Sequence, residues 1–293
     1  RSHPYVLKEI AATTDENRQR ALKNFDEAVF AHISFALSNA ARSLVFGISQ
    51  GYGMPIDAAP EVKRYYQQLT RYSAAFALAA DVAMAVLGGS LKRREKLSAR
   101  LGDVLSQLYL CSATLKRFED EGRPAEDLPL LHWSMQDALY KIEQAFAGVA
   151  QNFPNVLARF VLRTLIFPIG QRLTPPSDEL GHQVASLLMQ PGSARDRLTA
   201  GMYLGGTDEQ DAVCALEAAL LSTLACEPLQ ALIEEARKAK KVKALDELLR
   251  IAEARDAGII TAGQALQLER DYALRRKVIM VDDFAPEELR VKN

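Results

Sequence analysis

Apolar residues recur at three- and four-residue spacing along almost the whole chain, and the strict alternation that marks a strand is almost absent. From Asp15 to Ser38 the series Leu22, Phe25, Val29, Ile33 and Leu37 forms one stripe, which predicts a helix turning that stripe toward a core. Three glycines, two prolines and an aspartate between Gly47 and Pro60 end this first unit. A long helix is expected from about Glu61 to Leu87, ended by Gly88-Gly89. Ser90 is placed to cap a further helix, from about Leu91 to Glu121. Two long helices joined by so short a link are expected to pack antiparallel.

Gly122-Arg123-Pro124 breaks the chain, and helices follow from about Leu130 to Gln151 and from Val156 to Phe167, before Pro168 and Gly170. The pair Pro175-Pro176 marks the expected boundary between a long-helix bundle, residues 1–174, and a smaller helical C-terminal subdomain, residues 175–293. In that subdomain the helical patterns lie near Asp178 to Gln190, Glu209 to Leu224, Pro228 to Lys241 and Leu245 to Ala257. Thr261-Ala262-Gly263-Gln264 fits a capping box and starts a last helix that runs to about Lys277. The expected class is all-α.

Composition agrees with a folded protein: 48% of residues are apolar and 25% charged, and 293 residues are enough to bury a sizeable core. With 36 basic and 37 acidic side chains the net charge is -1, so no overall field favours nucleic acid, and any anion preference is local. Cys111, Cys214 and Cys226 are too few and too scattered for a disulfide framework or a Cys-x-x-Cys zinc site, and read as buried thiols of a reducing compartment. The richest apolar run, Ser73 to Leu87, is short and contains Asp81, so no membrane-spanning helix is expected. The opening Arg1-Ser2-His3-Pro4, without methionine, reads as the start of a segment cut from a longer chain.

Several short patterns could carry chemistry. Gly47-Ile48-Ser49-Gln50-Gly51 has the spacing of a nucleophile elbow, but no parallel-sheet pattern surrounds it, and a glycine-rich interhelical loop explains it better. Glu179 and His182 make one Glu-x-x-His pair where a di-iron bundle needs two, so no metal is expected. Lys92, Arg93, Arg94, Lys96 and Arg100 cluster at the start of a helix and form a candidate anion or interface patch, against the alternative of a solvated face. Between Arg159 and Arg172, cations mix with apolar residues; Arg159, Phe160, Arg163, Ile166 and Phe167 mark a helix that faces either a core or a membrane surface. Asp81, inside an apolar face, calls for a buried partner, and Arg100 on the next helix is the expected one. Trp133 and Tyr140 read as core or interface anchors.

Longer stretches carry a resemblance that periodicity alone does not supply. Tyr65-Tyr66-Gln67-Gln68-Leu69-Thr70-Arg71-Tyr72-Ser73-Ala74, the run from Asp81-Val82-Ala83-Met84 through Gly88-Gly89-Ser90-Leu91-Lys92-Arg93, and Leu97-Ser98-Ala99-Arg100-Leu101-Gly102-Asp103 resemble the large bacterial fatty acyl-coenzyme A dehydrogenases of β-oxidation. So do Asp120-Glu121-Gly122-Arg123, Asp127-Leu128-Pro129-Leu130, Gly258-Ile259-Ile260-Thr261 with Ala262 through Glu269, and Val281-Asp282-Asp283-Phe284, in the family's order over nearly the whole chain.

The resemblance implies a flavin-binding dehydrogenase core followed by a helical extension, to which this chain corresponds. In the parent, FAD accepts the β hydride while a carboxylate removes the α proton of the acyl-coenzyme A thioester. Arg1-Ser2-His3-Pro4-Tyr5-Val6-Leu7 resembles the sequence just after the core, so the family's catalytic glutamate is expected upstream of Arg1. No catalytic, flavin-binding or metal residue is assigned here. The implied partner is the N-terminal dehydrogenase core of the same protein, with homo-oligomer contacts and a peripheral membrane contact. The implied location is the cytoplasm, peripheral at the inner membrane. The alternative is a stand-alone helical binding or scaffold module.

Overall fold

The computed structural model describes residues 4–203 and 211–280, so Val281-Asp282-Asp283-Phe284, the opening Arg1-Ser2-His3 and Glu209 lie outside the described residues. Among the described residues there are eleven α-helices and no strand, as the 3.6-residue periodicity requires. Six helices build the first part: α1 (Pro4–Thr13), α2 (Arg18–Ser49), α3 (Pro60–Leu87), α4 (Glu95–Asp120), α5 (Leu128–Asn152) and α6 (Val156–Ile166). Five follow: α7 (Asp178–Met189), α8 (Ser193–Thr199), α9 (Ala212–Lys238), α10 (Glu247–Asp256) and α11 (Ala262–Ile279). The chain divides into two compact units between Val184 and Ala185, inside α7 and C-terminal to the Pro175-Pro176 pair.

Helix α2 departs from the sequence expectation in length and in orientation. Asn17 caps it by accepting the Arg20 amide, and it runs through Gly47 to Ser49, where Gln50 turns left-handed at φ 52°. Gly47 is therefore a helical residue rather than the start of a loop. A Cβ there would lie 2.7 Å from Pro168 Cδ, so glycine lets α2 approach the corner that follows α6. Nearby, Ser43 Oγ donates to the Leu165 carbonyl at 3.0 Å. The buried face of α2 is accordingly Ala28, Asn39, Ser43 and Gly47. The stripe expected to face a core points outward instead, with Leu22, Ile33 and Leu37 exposed at 57%, 50% and 66%. The close helix contact selects small side chains, which leaves the large apolar ones on the far side.

Helix α3 starts on a first-turn proline, which lacks only an amide hydrogen that no helix start could use. It contributes Val62, Leu69, Tyr72, Ala75, Leu78, Ala79 and Ala83 to the core of the first unit. Its direction follows from three contacts. Tyr65 meets His132, while Tyr72 meets Glu143 and Phe146, so α3 and α5 run the same way. Arg100 lies against Gly148 although α4 and α5 are joined near residue 124, so those two run oppositely. Helices α3 and α4 are thus antiparallel, as their lengths and short link require. Ser90, however, does not cap α4. Its hydroxyl donates back to the Leu87 carbonyl at 2.6 Å within a 3₁₀ turn, Gly88–Arg93, and α4 begins at Glu95.

The second unit has its own core, in which Cys226, Ile233, Ile251, Ala254, Ala265 and Leu268 bring α9, α10 and α11 together. The break expected at Pro228 does not occur, and α9 runs through it. Proline removes one intrahelical hydrogen bond there, but Cys226 and Ile233 are buried on either side and hold the helix in one piece. The capping box at Thr261 and Gln264 forms as its spacing predicts. By length and composition alone α2, the span Pro60–Arg93 and α9 could each cross a bilayer, which amends the expectation from uncharged runs. The middle span nevertheless carries Arg71 and Asp81, both buried within the first unit.

Cys111 on α4 is buried, and burial pushes its thiol up to about 12 from an ordinary 9.0. At pH 8 that difference leaves a thiolate fraction on the order of a thousandfold lower. Alkylation by iodoacetamide, mapped by peptide mass, should therefore mark Cys111 only after unfolding. Rapid native labelling would contradict this packing.

Candidate functional site

The five cations singled out at the start of α4 do not form one surface. Lys92, Arg93, Arg94 and Lys96 are exposed, the first two on the 3₁₀ turn and the others at the first residues around Glu95. Arg100 leaves this group, because its guanidinium lies over Gly148 of α5. Among the described residues none of the five forms an ion pair, which leaves the first four as a solvated cationic edge.

Helix α6 divides the other candidate set between two environments. Ile166 and Phe167 join the core with Ala158 and Leu162. Arg159 and Arg163 are exposed beside Val156, Leu157 and Phe160, which are 73%, 71% and 67% exposed. One face of α6 is a core face and the other presents apolar side chains between arginines. Glu179 and His182 lie exposed on α7, Trp133 is partly exposed, Tyr140 is half-buried, and Asp81 is buried on α3. Ser49 ends α2 in a helix-to-loop turn, which is not the geometry of a nucleophile elbow.

The densest polar chemistry lies where α2 ends against α3. The left-handed turn at Gln50 continues through Gly51, φ 76°, where a Cβ would meet the Gln67 carbonyl at 3.0 Å. This tight passage carries both oxygens of Gln50 to α3. Its carbonyl accepts from Arg64 Nη2 at 2.6 Å and from Gln68 Nε2 at 3.1 Å, and its Oε1 accepts from Arg71 Nη1 at 2.8 Å. Arg64, Gln67, Gln68 and Arg71 stand at i, i+3, i+4 and i+7, so one stripe of α3 is polar although it is covered. Arg64 stacks 3.7 Å from the Tyr52 ring centroid, and burial, reinforced by the Arg71 charge, pushes its guanidinium pKa down.

One residue further along α3, the polar chain crosses to α5. Tyr72 donates to Glu143 Oε1 at 3.1 Å, and burial raises the phenol far above its usual range. Glu143, fully buried, also accepts the Arg172 amide at 3.1 Å and the Leu173 amide at 3.0 Å. Three donors therefore hold this carboxylate and tie the segment after α6 to α5. In the second unit Asp271, equally buried, accepts from Thr223, Gln230 and Arg275, and Arg275 also pairs with Glu247. Thr223, Gln230, Glu247 and Arg275 border a cleft of about 390 Å³.

A family model described as acyl-CoA dehydrogenase, C-terminal, bacterial type, matches residues 1–284. The chain belongs to this family. No solved structure matches it.

In this acyl-CoA dehydrogenase C-terminal region, the residues that sequence reasoning missed are Gln50, Arg64, Gln68, Arg71, Glu143 and Asp271. A signal for some of them was present: the polar series 64, 67, 68 and 71 lies on one helical face, and Glu143 falls between the core residues Ile142 and Phe146. For Gln50 there was none, because its role depends on a left-handed turn that glycine spacing alone does not specify.

His132 on α5 supplies a pH-sensitive contact within the acyl-CoA dehydrogenase C-terminal region. Its Nδ1 lies 2.8 Å from the Tyr65 hydroxyl, and burial pushes the imidazole below its ordinary value of 6.5. The unfolded chain then binds a proton more readily than the folded one, so the contribution is complete above about 6.5 and is lost as pH falls through the lower folded value. Urea midpoints at pH 7.5 and 5.5 should drop more for the native chain than for His132→Gln. Equal drops would remove His132 from this role.

Proposed function

We propose that this chain is the helical accessory region of a flavin-dependent dehydrogenase that introduces an α,β double bond into fatty acyl-coenzyme A thioesters, and that α2 seats it on the dehydrogenase core of the same protein. The observation that carries the reading is the reversed polarity of α2. Phe30, Ile33, Leu37, Val45 and Ile48 are exposed on one side of the helix, and the face opposite holds Asn39, Ser43 and Gly47. From Phe30 to Ile48 this stripe runs roughly 27 Å at 1.5 Å per residue. An apolar stripe of that length is a protein contact awaiting its cover.

Chemistry in this reading stays in the core, where the flavin takes the hydride. The buried carboxylates here do not suit proton abstraction. Glu143 and Asp271 are each held by three hydrogen-bond donors and are fully buried. The chain's contribution is to cover and position. The outward face of α6, with Val156, Leu157 and Phe160 between Arg159 and Arg163, supports a second contact of the same module with an anionic lipid surface.

The test is to combine the purified chain with the separately produced flavin-bearing core and measure association by analytical ultracentrifugation. Ile33→Glu with Leu37→Glu should weaken the complex on the order of a hundredfold, because both carboxylates would be buried unpaired. Vesicles containing phosphatidylglycerol should lose the chain on Phe160→Ser with Leu157→Ser, and not on the α2 substitutions. A native chain that ignores the core, or a variant that binds it as well, would overturn the docking assignment and favour a stand-alone module. Self-association abolished by the α2 variant would reassign the stripe to a second copy.

A further inference from the structure

The cleft of the second unit, about 390 Å³, falls in the range of about 300–1,000 Å³ usual for small-molecule sites. It opens where α9, α10 and α11 meet, because each helix turns one face into it: Gln230 and Ile233 on α9, Glu247, Arg250 and Ile251 on α10, Leu268 and Arg275 on α11. Ile233, Ile251 and Leu268 belong to the core and are 8%, 2% and 2% exposed, so the floor of the cleft is aliphatic.

The polar lining is held in place and only partly spent. Asp271 accepts from Gln230 Nε2 at 3.3 Å and from Arg275 Nε at 2.8 Å, which orients both side chains. Gln230 Oε1 makes no hydrogen bond among the described residues, and Glu247 gives Oε1 to Arg275 and keeps Oε2. Arg250 is half-buried, and its guanidinium makes no ion pair or hydrogen bond among the described residues. Glu234, which also lines the cleft and feels the Arg250 charge, has both oxygens on Arg237 at 2.7 and 2.8 Å. Arg250 and Arg275 are matched in number by Glu234 and Glu247, so the lining carries no net charge. A simple anion or a simple cation meets a like charge there, whereas a zwitterion is matched at both ends.

We propose that this cleft binds a free α-amino acid with an aliphatic side chain. Its carboxylate takes the Arg250 fork, its ammonium donates to Glu247 Oε2 and Gln230 Oε1, and its side chain covers Ile233, Ile251 and Leu268. Glu247 and Arg250 stand one turn apart on one face of α10, about 5–6 Å between Cβ atoms, which suits two opposite charges carried on a single carbon. The inference concerns the second unit alone and stands whether or not α2 docks on a core.

The experiment titrates the full chain, with carbon-13 in its isoleucine methyl groups, with free leucine. The Ile233 and Ile251 resonances should shift saturably while Ile142 and Ile166, in the core of the first unit, stay fixed. The two half-ligands, 4-methylpentanoate without the ammonium and isopentylamine without the carboxylate, should each bind at least tenfold more weakly than leucine. Arg250→Gln removes a half-buried side chain that holds no other residue, so the fold should survive. It should weaken leucine at least tenfold and leave isopentylamine unchanged. Glu247→Gln should do the reverse, weakening leucine and isopentylamine and sparing 4-methylpentanoate. Methyl resonances indifferent to leucine, a half-ligand that binds as well as leucine, or an Arg250→Gln chain that binds leucine like the native one would overturn the proposal.

Discussion

Gly47 and Ser43 bring α2 against the end of α6, and much of the first unit's surface depends on that contact. A Cβ at Gly47 would press on Pro168, and an alanine would cost about 1–3 kcal/mol unless the corner moved. The contact therefore restricts one face of a 32-residue helix to small side chains. Phe30, Ile33, Leu37, Val45 and Ile48 then have only the other face available. Burying a fully exposed side chain of this kind is worth about 1.5–3 kcal/mol, so a cover over these partly exposed residues would gain a fraction of that at each.

Two buried ions, Glu143 and Arg71, follow one packing logic. Glu143 is deep in the core but accepts three hydrogen bonds, and leaving those donors unmet would cost about 1–3 kcal/mol apiece. It is a structural tie between α3, α5 and the segment after α6. Arg71 is as deeply buried, with Nη1 donating to Gln50 and Gln68 and its guanidinium over the Tyr72 ring. A folded interior tolerates a charge that its neighbours hold as part of the framework, as Gln50, Gln68 and the Tyr72 ring hold Arg71.

Much of the architecture was legible in the sequence because helical periodicity and capping are local. The limits of α3, α5 and α6, the antiparallel run of α3 and α4 and the Thr261 capping box all rest on residues a few positions apart. The errors came where long-range contact outweighs local preference. An apolar stripe names the helix but not the direction of its partner, and on α2 the stripe faces outward. Proline at 228 locally favours a break, and the flanking burial of Cys226 and Ile233 that overrides it is tertiary. Ser90 has the position of a cap, but its hydroxyl bonds backward to Leu87. The charged cluster at 92–100 was visible as composition, but only packing shows that Arg100 leaves it for Gly148. The buried arginine cluster needed the left-handed turn at Gln50, which no spacing rule supplies.

The family match spans residues 1–284, so α2 and its outward stripe lie inside the matched region. Hydroxyl-radical footprinting tests its meaning most directly, by comparing side-chain oxidation in this chain alone with oxidation when the chain is joined to the dehydrogenase core that the proposed function assigns to it. The account expects Phe30, Leu37 and Ile48 to be strongly oxidised in the isolated chain and at least fivefold protected beside the core, while exposed Tyr109 on α4 stays equally reactive in both. Equal oxidation of the three α2 residues in the two proteins would contradict it.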